Sequence, residues 1–145
     1  SQKFGATDVV NAREMDVSGF IKEITGGGVD MAFDSFGGPD PTVNALKSVR
    51  NGGTAVIIGL APEEVNAPID MLDMVRGQKS LVGSFYGSAS PHETFDKLVG
   101  FYLKGMIDIE GLITRRYRFE DINEGFDAFA RGEDGRGVIP FHSLV

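Results

Sequence analysis

One stretch constrains the fold more than any other: Val29-Asp30-Met31-Ala32-Phe33-Asp34-Ser35-Phe36-Gly37-Gly38-Pro39. An apolar run stops at two glycines and a proline, and a helical pattern begins at once with Pro39-Asp40-Pro41. Apolar strand, glycine turn and helix, in that order, are the grammar of a parallel α/β sheet. Ligands of such sheets sit at the carboxyl ends of the strands, which here means residues 35–38.

The remaining segments repeat that grammar. Residues 7–11 read as a short strand. Residues 16–25 read as a helix, because Val17, Phe20, Ile21 and Ile24 recur at helical spacing. Gly26-Gly27-Gly28 follows a helix and precedes a strand, the reverse of a dinucleotide fingerprint, and reads as a helix stop. The helix from Pro39 turns Val43, Ala45, Leu46 and Val49 inward and is expected to end at Asn51-Gly52-Gly53. Residues 54–58 are apolar on both faces, as in a central parallel strand. Residues 69–75 read as a short helix or edge segment, and residues 80–86 as a further strand. Ser90, Pro91 and Glu93 open a helix as a capping box. It turns Phe95, Leu98, Val99, Tyr102 and Leu103 inward and ends at Gly105. A strand-like segment at 112–119, a helix at 120–131 with Ile122, Phe126, Phe129 and Ala130 on one face, and a strand at 137–141 complete the chain.

Composition excludes several classes. The net charge of −7 disfavours non-specific nucleic-acid binding. With no cysteine there is no disulfide and no thiolate metal site, which fits a reducing cytoplasmic setting. His92 and His142 are far apart in sequence and read as surface residues, not ligands. The longest apolar run is far short of a membrane span, and residues 1–5 carry no signal-peptide pattern. No nucleophile triad and no other catalytic set is recognisable.

Three strand ends remain as candidate sites: Ser35-Phe36-Gly37, Ile58-Gly59-Leu60 and Ser84-Phe85-Tyr86-Gly87. On adjacent strands they would line one crevice, where glycine lets a ligand approach the backbone. The alternative is that the strands simply end in glycine turns, and spacing does not decide between the two. Arg136, between Gly135 and Gly137, reads from bare sequence as an ordinary surface arginine, although its fork could meet a phosphate. Arg115, Arg116 and Arg118 read as surface charges.

Taken in order, the runs resemble medium-chain dehydrogenases of the zinc-type alcohol dehydrogenase class. The resemblance lies in Gly5-Ala6-Thr7 with Val10-Asn11, Gly28-Val29-Asp30 with Asp34 to Gly37, Gly52-Gly53-Thr54 with Gly59, Leu81-Val82-Gly83-Ser84, and Phe119-Glu120-Asp121-Ile122-Asn123-Glu124-Gly125-Phe126 with Gly132-Glu133 and Arg136. It implies a partial Rossmann-like α/β fold: a mostly parallel, three-layer sheet lacking its first two strands. It places a partial NAD(P)-binding domain at 1–111, and at 112–145 a segment that would pack on a catalytic domain outside this chain. The implied cofactor is NAD or NADP. Phe36 and Gly37 would lie along it, Ile58, Gly59 and Leu60 would hold the nicotinamide ribose and ring, and Ser84 and Tyr86 would offer backbone groups to the carboxamide. Arg136 would pair with the pyrophosphate, which reverses the reading from bare sequence.

The family's glycine fingerprint, its zinc ligands and its proton relay would all precede Ser1. The resemblance therefore implies a C-terminal part of an alcohol dehydrogenase, inert by itself, with zinc only in the parent enzyme. A non-enzymatic oligomerisation or nucleotide-binding module is the alternative, as is part of a zinc-free quinone-reductase-like relative. A homodimer is expected through residues 81–85, bounded by Leu81 and Phe85, and residues 69–77, bounded by Ile69 and Gly77, or through the edge of the strand 29–36. In the parent order 3-2-1-4-5-6, that last strand has lost its neighbour. Either residues 7–11 move beside Val29 or another chain fills the gap. Limited proteolysis of a demonstrated monomer should cut residues 112–145 before residues 29–106; equal resistance would remove the case for exposed apolar surface there.

Overall fold

The computed structural model describes residues 2–133 and 135–141, so His142 lies outside the described residues. Two compact units are present, Ser1–Ala89 and Ser90–Val145, each with its own small parallel sheet. The expected boundary at 111/112 rests on a different criterion, packing against a domain outside the chain, and stays an expectation.

The first unit contains α1 (Val17–Thr25), β1 (Val29–Asp34), α2 (Pro39–Ser48), β2 (Val49–Ile57), α3 (Met71–Gly77) and β3 (Ser80–Gly83). The three strands pair in the order β1-β2-β3, all parallel. Right-handed crossovers in a constant direction put α2 and α3 on one face of the sheet. The core agrees with this: Ala45, Leu46, Val49 and Ala55 are buried, with Val29, Ala32, Ile69 and Met74 against them. The cross-strand row Ala32–Ala55–Leu81 alternates with the row Phe33–Val56–Val82. Ala55 is buried, whereas Phe33 and Val82 of the other row are exposed.

Of the two glycine motifs read as helix stops, the first acts as one and the second does not. Gly26 does stop α1 in the left-handed conformation, with its N–H bonded to the Lys22 carbonyl. Gly28, however, meets β2: a Cβ there would lie 2.7 Å from the Arg50 nitrogen and the Ser48 oxygen. Gly52-Gly53 does not end α2. The helix ends at Ser48, and β2 starts at once with Val49 and passes through both glycines. The register jumps there, Val29 facing Val49 but Met31 facing Thr54, and Gly52 has φ +73°. The pair absorbs an irregularity in the strand, the usual reason for glycine inside one.

Residues 7–11 are not a strand and do not pair with the strand that starts at Val29. Two valines alone cannot hold an extended segment without a paired neighbour. The outer edge of β1 therefore has no strand partner among the described residues. The segment expected at 69–75 is α3, capped by Asp70, whose carboxylate accepts from Leu72 and Asp73 N–H.

The second unit holds α4 (Pro91–Leu103), β4 (Arg115–Arg116), α5 (Ile122–Ala130) and β5 (Gly137–Val138). Only two residues of the segment 112–119 are strand, paired in parallel with Gly137 and Val138. Pro91 opens α4, but the Ser90–Glu93 capping box does not form; the Thr94 N–H and hydroxyl both donate to the Ser90 carbonyl instead. The residues expected to face inward on α4 are all exposed, since this unit has no broad sheet to cover them. Phe126 and Phe129 on α5 are exposed too and line an apolar hollow of about 300 Å³ with Tyr117, Ile122 and Ile139.

One buried charge ties α3 into the first unit. The Lys79 side chain is 3% exposed and its ammonium donates to Asp73 at 2.9 Å and, more weakly, to the Leu46 carbonyl at 3.4 Å. Removing only the acceptor strands a buried cation, whereas removing the cation itself does not. Asp73→Ala is therefore expected to cost about 3 kcal/mol, and Lys79→Met less than about 1 kcal/mol, in urea denaturation. The reverse ranking would show that the ammonium reaches water.

Candidate functional site

The carboxyl ends of the first unit's strands stand side by side, because Asp34, Ile57 and Gly83 are register partners. Beyond them run the segments 35–38, 58–60 and 84–87. Seven of the eight residues assigned to a site from the sequence are brought to this one edge: Phe36, Gly37, Ile58, Gly59, Leu60, Ser84 and Tyr86. The eighth, Arg136, belongs to the other unit.

The edge is organised by Asp34, which is 4% exposed. Its Oδ1 accepts from the Phe36 N–H at 2.9 Å and the Gly37 N–H at 3.0 Å, and its Oδ2 from the Thr42 hydroxyl at 2.9 Å. Its main-chain carbonyl accepts from Ile58 N–H at 2.8 Å and Gly59 N–H at 3.0 Å. One residue thus fixes the turn after β1 and, through its backbone, the turn after β2. β1 ends at Asp34 and not at Phe36 because that carboxylate bends the chain back on itself.

The two turns cross at glycines. Gly37 has φ +83°, and a Cβ on it would lie 2.5–2.7 Å from the backbone of Gly59 and Leu60. A Cβ on Gly59 would in turn collide with Gly37 and Phe36 backbone. These glycines are required by each other, before any ligand is considered.

What the edge presents is apolar side chains and open backbone. Phe36 is 80% exposed and Leu60 77% exposed, and Ile58, Phe85 and Tyr86 are also exposed. Phe85 and Tyr86 meet edge to face at 4.5 Å between ring centroids. β3 ends at Gly83, three residues earlier than expected, and the Ser84 N–H donates to the Ile57 carbonyl at 2.8 Å. Tyr86, Gly87 and Ser88 then take φ values of +50°, +70° and +54° in succession. Non-glycine residues in that region carry backbone strain, and such strain concentrates at functional sites.

In the second unit, the Arg136 main chain is pinned on Thr114: its N–H donates to the Thr114 hydroxyl at 3.1 Å and its carbonyl accepts the Thr114 N–H at 3.0 Å. Its side chain is exposed and makes no hydrogen bond or ion pair among the described residues. Arg118 and Arg131, by contrast, are each bidentate to a carboxylate, Asp121 and Glu133.

Sequence reasoning passed over Asp34 and Thr42 as site residues. The signal was present: an aspartate at the end of an apolar strand, two and three residues before the N–H groups it accepts, is an Asx-type turn.

Known proteins show which family the chain belongs to. Residues 1–104 match the family described as zinc-binding dehydrogenase. The chain belongs to that family. It is 34% identical to Alcohol dehydrogenase-like 5 of Arabidopsis thaliana over 95% of its own length and 36% of that relative. It is also 34% identical to Alcohol dehydrogenase 1 of Pisum sativum, over 96% of its length and 37% of that protein. Benzyl alcohol dehydrogenase from Acinetobacter calcoaceticus superposes with a TM-score of 0.88 at 30% identity, covering 95% of this chain and 38% of the other. The chain thus spans little more than a third of these dehydrogenases and is a partial domain with their Rossmann-like α/β fold. Among the described residues, no group of three or more His, Cys, Asp or Glu could hold a metal, so these residues do not fit the zinc of the family's name. No described helix is long and apolar enough to cross a membrane.

The electrostatics of Asp34 give a direct test. Burial alone would push its carboxyl up; the hydrogen bonds from Gly37, Thr42 and Phe36 outweigh this and hold it below the usual aspartate value. A depressed carboxyl stabilises the fold above the unfolded value of about 3.9 and loses that contribution as pH falls through the lower folded value. At pH 7, Asp34→Asn should cost about 1–2 kcal/mol in urea denaturation, as charge-assisted bonds become neutral ones. The gap to wild type should close progressively as pH falls below the unfolded value of about 3.9. A gap that is constant over that range would mean that the carboxylate charge adds nothing.

Proposed function

We propose that this chain is the nucleotide-binding part of an NAD(P)-dependent alcohol or aldehyde oxidoreductase, and that the strand ends of its first unit form the nicotinamide-facing wall. The observation that carries this reading is the convergence of three turns at the carboxyl end of one parallel sheet, the place where such sheets take their ligands.

The chemistry of the edge fits one end of the cofactor. Exposed Phe36, Ile58 and Leu60 offer apolar surface to a flat ring, and Gly59 leaves backbone bare beside it. Ser84 and Tyr86 carry main-chain groups for a carboxamide. The phosphates are not served by this edge. α2 starts at Gly38, and its first turn holds Pro39 and Pro41, which have no N–H, together with the anionic Asp40. Arg136, whose guanidinium has no ion-pair partner among the described residues, is assigned to the pyrophosphate on the family resemblance. The bound cofactor, NAD or NADP, supplies the hydride acceptor, and the protein supplies position and water exclusion.

In this reading the chain alone does not turn over. Its described residues offer no group of three or more His, Cys, Asp or Glu to hold a zinc. A homodimer is assigned to the outer edge of β3, where Leu81 and Val82 are exposed, beside the segment 69–77; the edge of β1 is the other candidate, with Met31 and Phe33 exposed.

Isothermal titration with NAD and NADP tests the assignment. Micromolar binding, weakened about tenfold or more by Arg136→Ala, is expected. No binding, together with a tight dimer in sedimentation, would favour a non-enzymatic oligomerisation module instead. Chain, zinc, NAD and simple alcohols mixed together should produce no NADH absorbance; turnover would contradict the inert reading.

A further inference from the structure

We propose that Asp34 is a positioning residue for the cofactor-facing edge, its carboxylate setting the turn at Phe36 and Gly37 directly and the turn at residues 58–60 through the Gly37–Gly59 crossing. The proposal rests on the cofactor reading above.

None of the apolar side chains of these turns is buried. Loops are commonly fixed by burying an apolar side chain, but Phe36, Ile58 and Leu60 all project into solvent. The hold is polar, and it starts at one residue, with the side chain addressing the first turn and the main-chain carbonyl the second. Both Asp34 oxygens are engaged, and no Lys, Arg or His forms an ion pair with them among the described residues. The carboxylate is balanced by two backbone N–H groups and the Thr42 hydroxyl, beside the first turn of α2, where the helix dipole favours an anion.

The hold is also transmitted. Gly37 is pressed against the Gly59 backbone so closely that neither position tolerates a Cβ. Asp34 also accepts the Ile58 and Gly59 N–H groups with its own carbonyl, so side chain and main chain of one residue address both turns. A shift of the first turn must displace the second, and with it the apolar side chains offered to the ring. A turn-forming residue without this role would leave the second turn untouched.

The test separates positioning from bulk stability with four forms of the chain: wild type, Asp34→Ala, Asp34→Asn and Leu46→Ala. Leu46 is buried in the core away from the edge and serves as the destabilised control. Folded fractions are measured by circular dichroism, NADH affinity by nicotinamide fluorescence, and amide hydrogen exchange by NMR. Asp34→Ala should weaken NADH binding by the folded fraction about tenfold, the scale of one or two lost charge-assisted bonds. Asp34→Asn, which still accepts from both amides, should bind within about threefold of wild type. Leu46→Ala should lose stability without losing affinity per folded molecule.

Exchange at Phe36, Gly37, Ile58 and Gly59 should accelerate together in Asp34→Ala, while the amides of β2 that pair with β3 keep their protection relative to global stability. If wild type fails to bind NADH, the cofactor reading falls, and the positioning claim is decided by exchange alone. Acceleration confined to Phe36 and Gly37 would overturn it. So would unchanged affinity in a folded Asp34→Ala, or an equal loss of affinity in Leu46→Ala. If Asp34→Ala does not fold, Thr42→Val, which removes a single bond, takes its place; the same four amides should then respond in the same order, and no response at Ile58 and Gly59 overturns the claim.

Discussion

The crossing of two glycine turns under one aspartate is the constraint on which the candidate site depends. Gly37 and Gly59 approach so closely that their backbones exclude any side chain. The approach is held by hydrogen bonds that begin and end at Asp34. From that crossing follow the sharp end of β1, the direction of Phe36 and the placement of residues 58–60. The glycines that sequence reading offered to a ligand are needed first by the protein. What is left for a ligand is the surface around them.

Much of the architecture was legible from residues alone because strands and helices here carry strong periodicity and clear stops. The strand from Val29, the helix from Pro39 and the helix start at Pro91 are where spacing puts them, although the capping box expected at Pro91 does not form. The failures have specific physical causes. Gly52-Gly53 reads as a helix stop, yet absorbs a register shift inside β2, which depends on the neighbouring strand and is invisible locally. Residues 7–11 carry strand-forming valines but have no strand beside them to complete a ladder. On α4 the apolar spacing is real, but spacing cannot tell whether anything covers that face within its unit. At the site, strand ends were readable from glycines, whereas Asp34 was passed over because its partners are backbone groups.

The exposed apolar surface is consistent with a domain seen in part. Phe33 and Val82 lie open on one face of the first sheet, Met31 lies at its unpaired edge, and Phe126 and Phe129 line an open hollow in the second unit. Surfaces of this kind mark places where other polypeptide packs. The chain covers a little over a third of its dehydrogenase relatives, and they have residues to spare for that role. The physical distinction that matters for function is between those open apolar faces and the strand-end edge, which is built from turns and offers backbone together with isolated apolar side chains.

The most direct measurement is an amide chemical-shift map of the chain with NADH and, separately, with reduced nicotinamide mononucleotide. The account predicts that both perturb residues 36–37, 58–60 and 84–87 in the same pattern, because this edge serves the nicotinamide end and not the phosphates. Perturbation centred on Gly26-Gly27-Gly28 or on the start of α2, or none at the strand ends with either ligand, would contradict it.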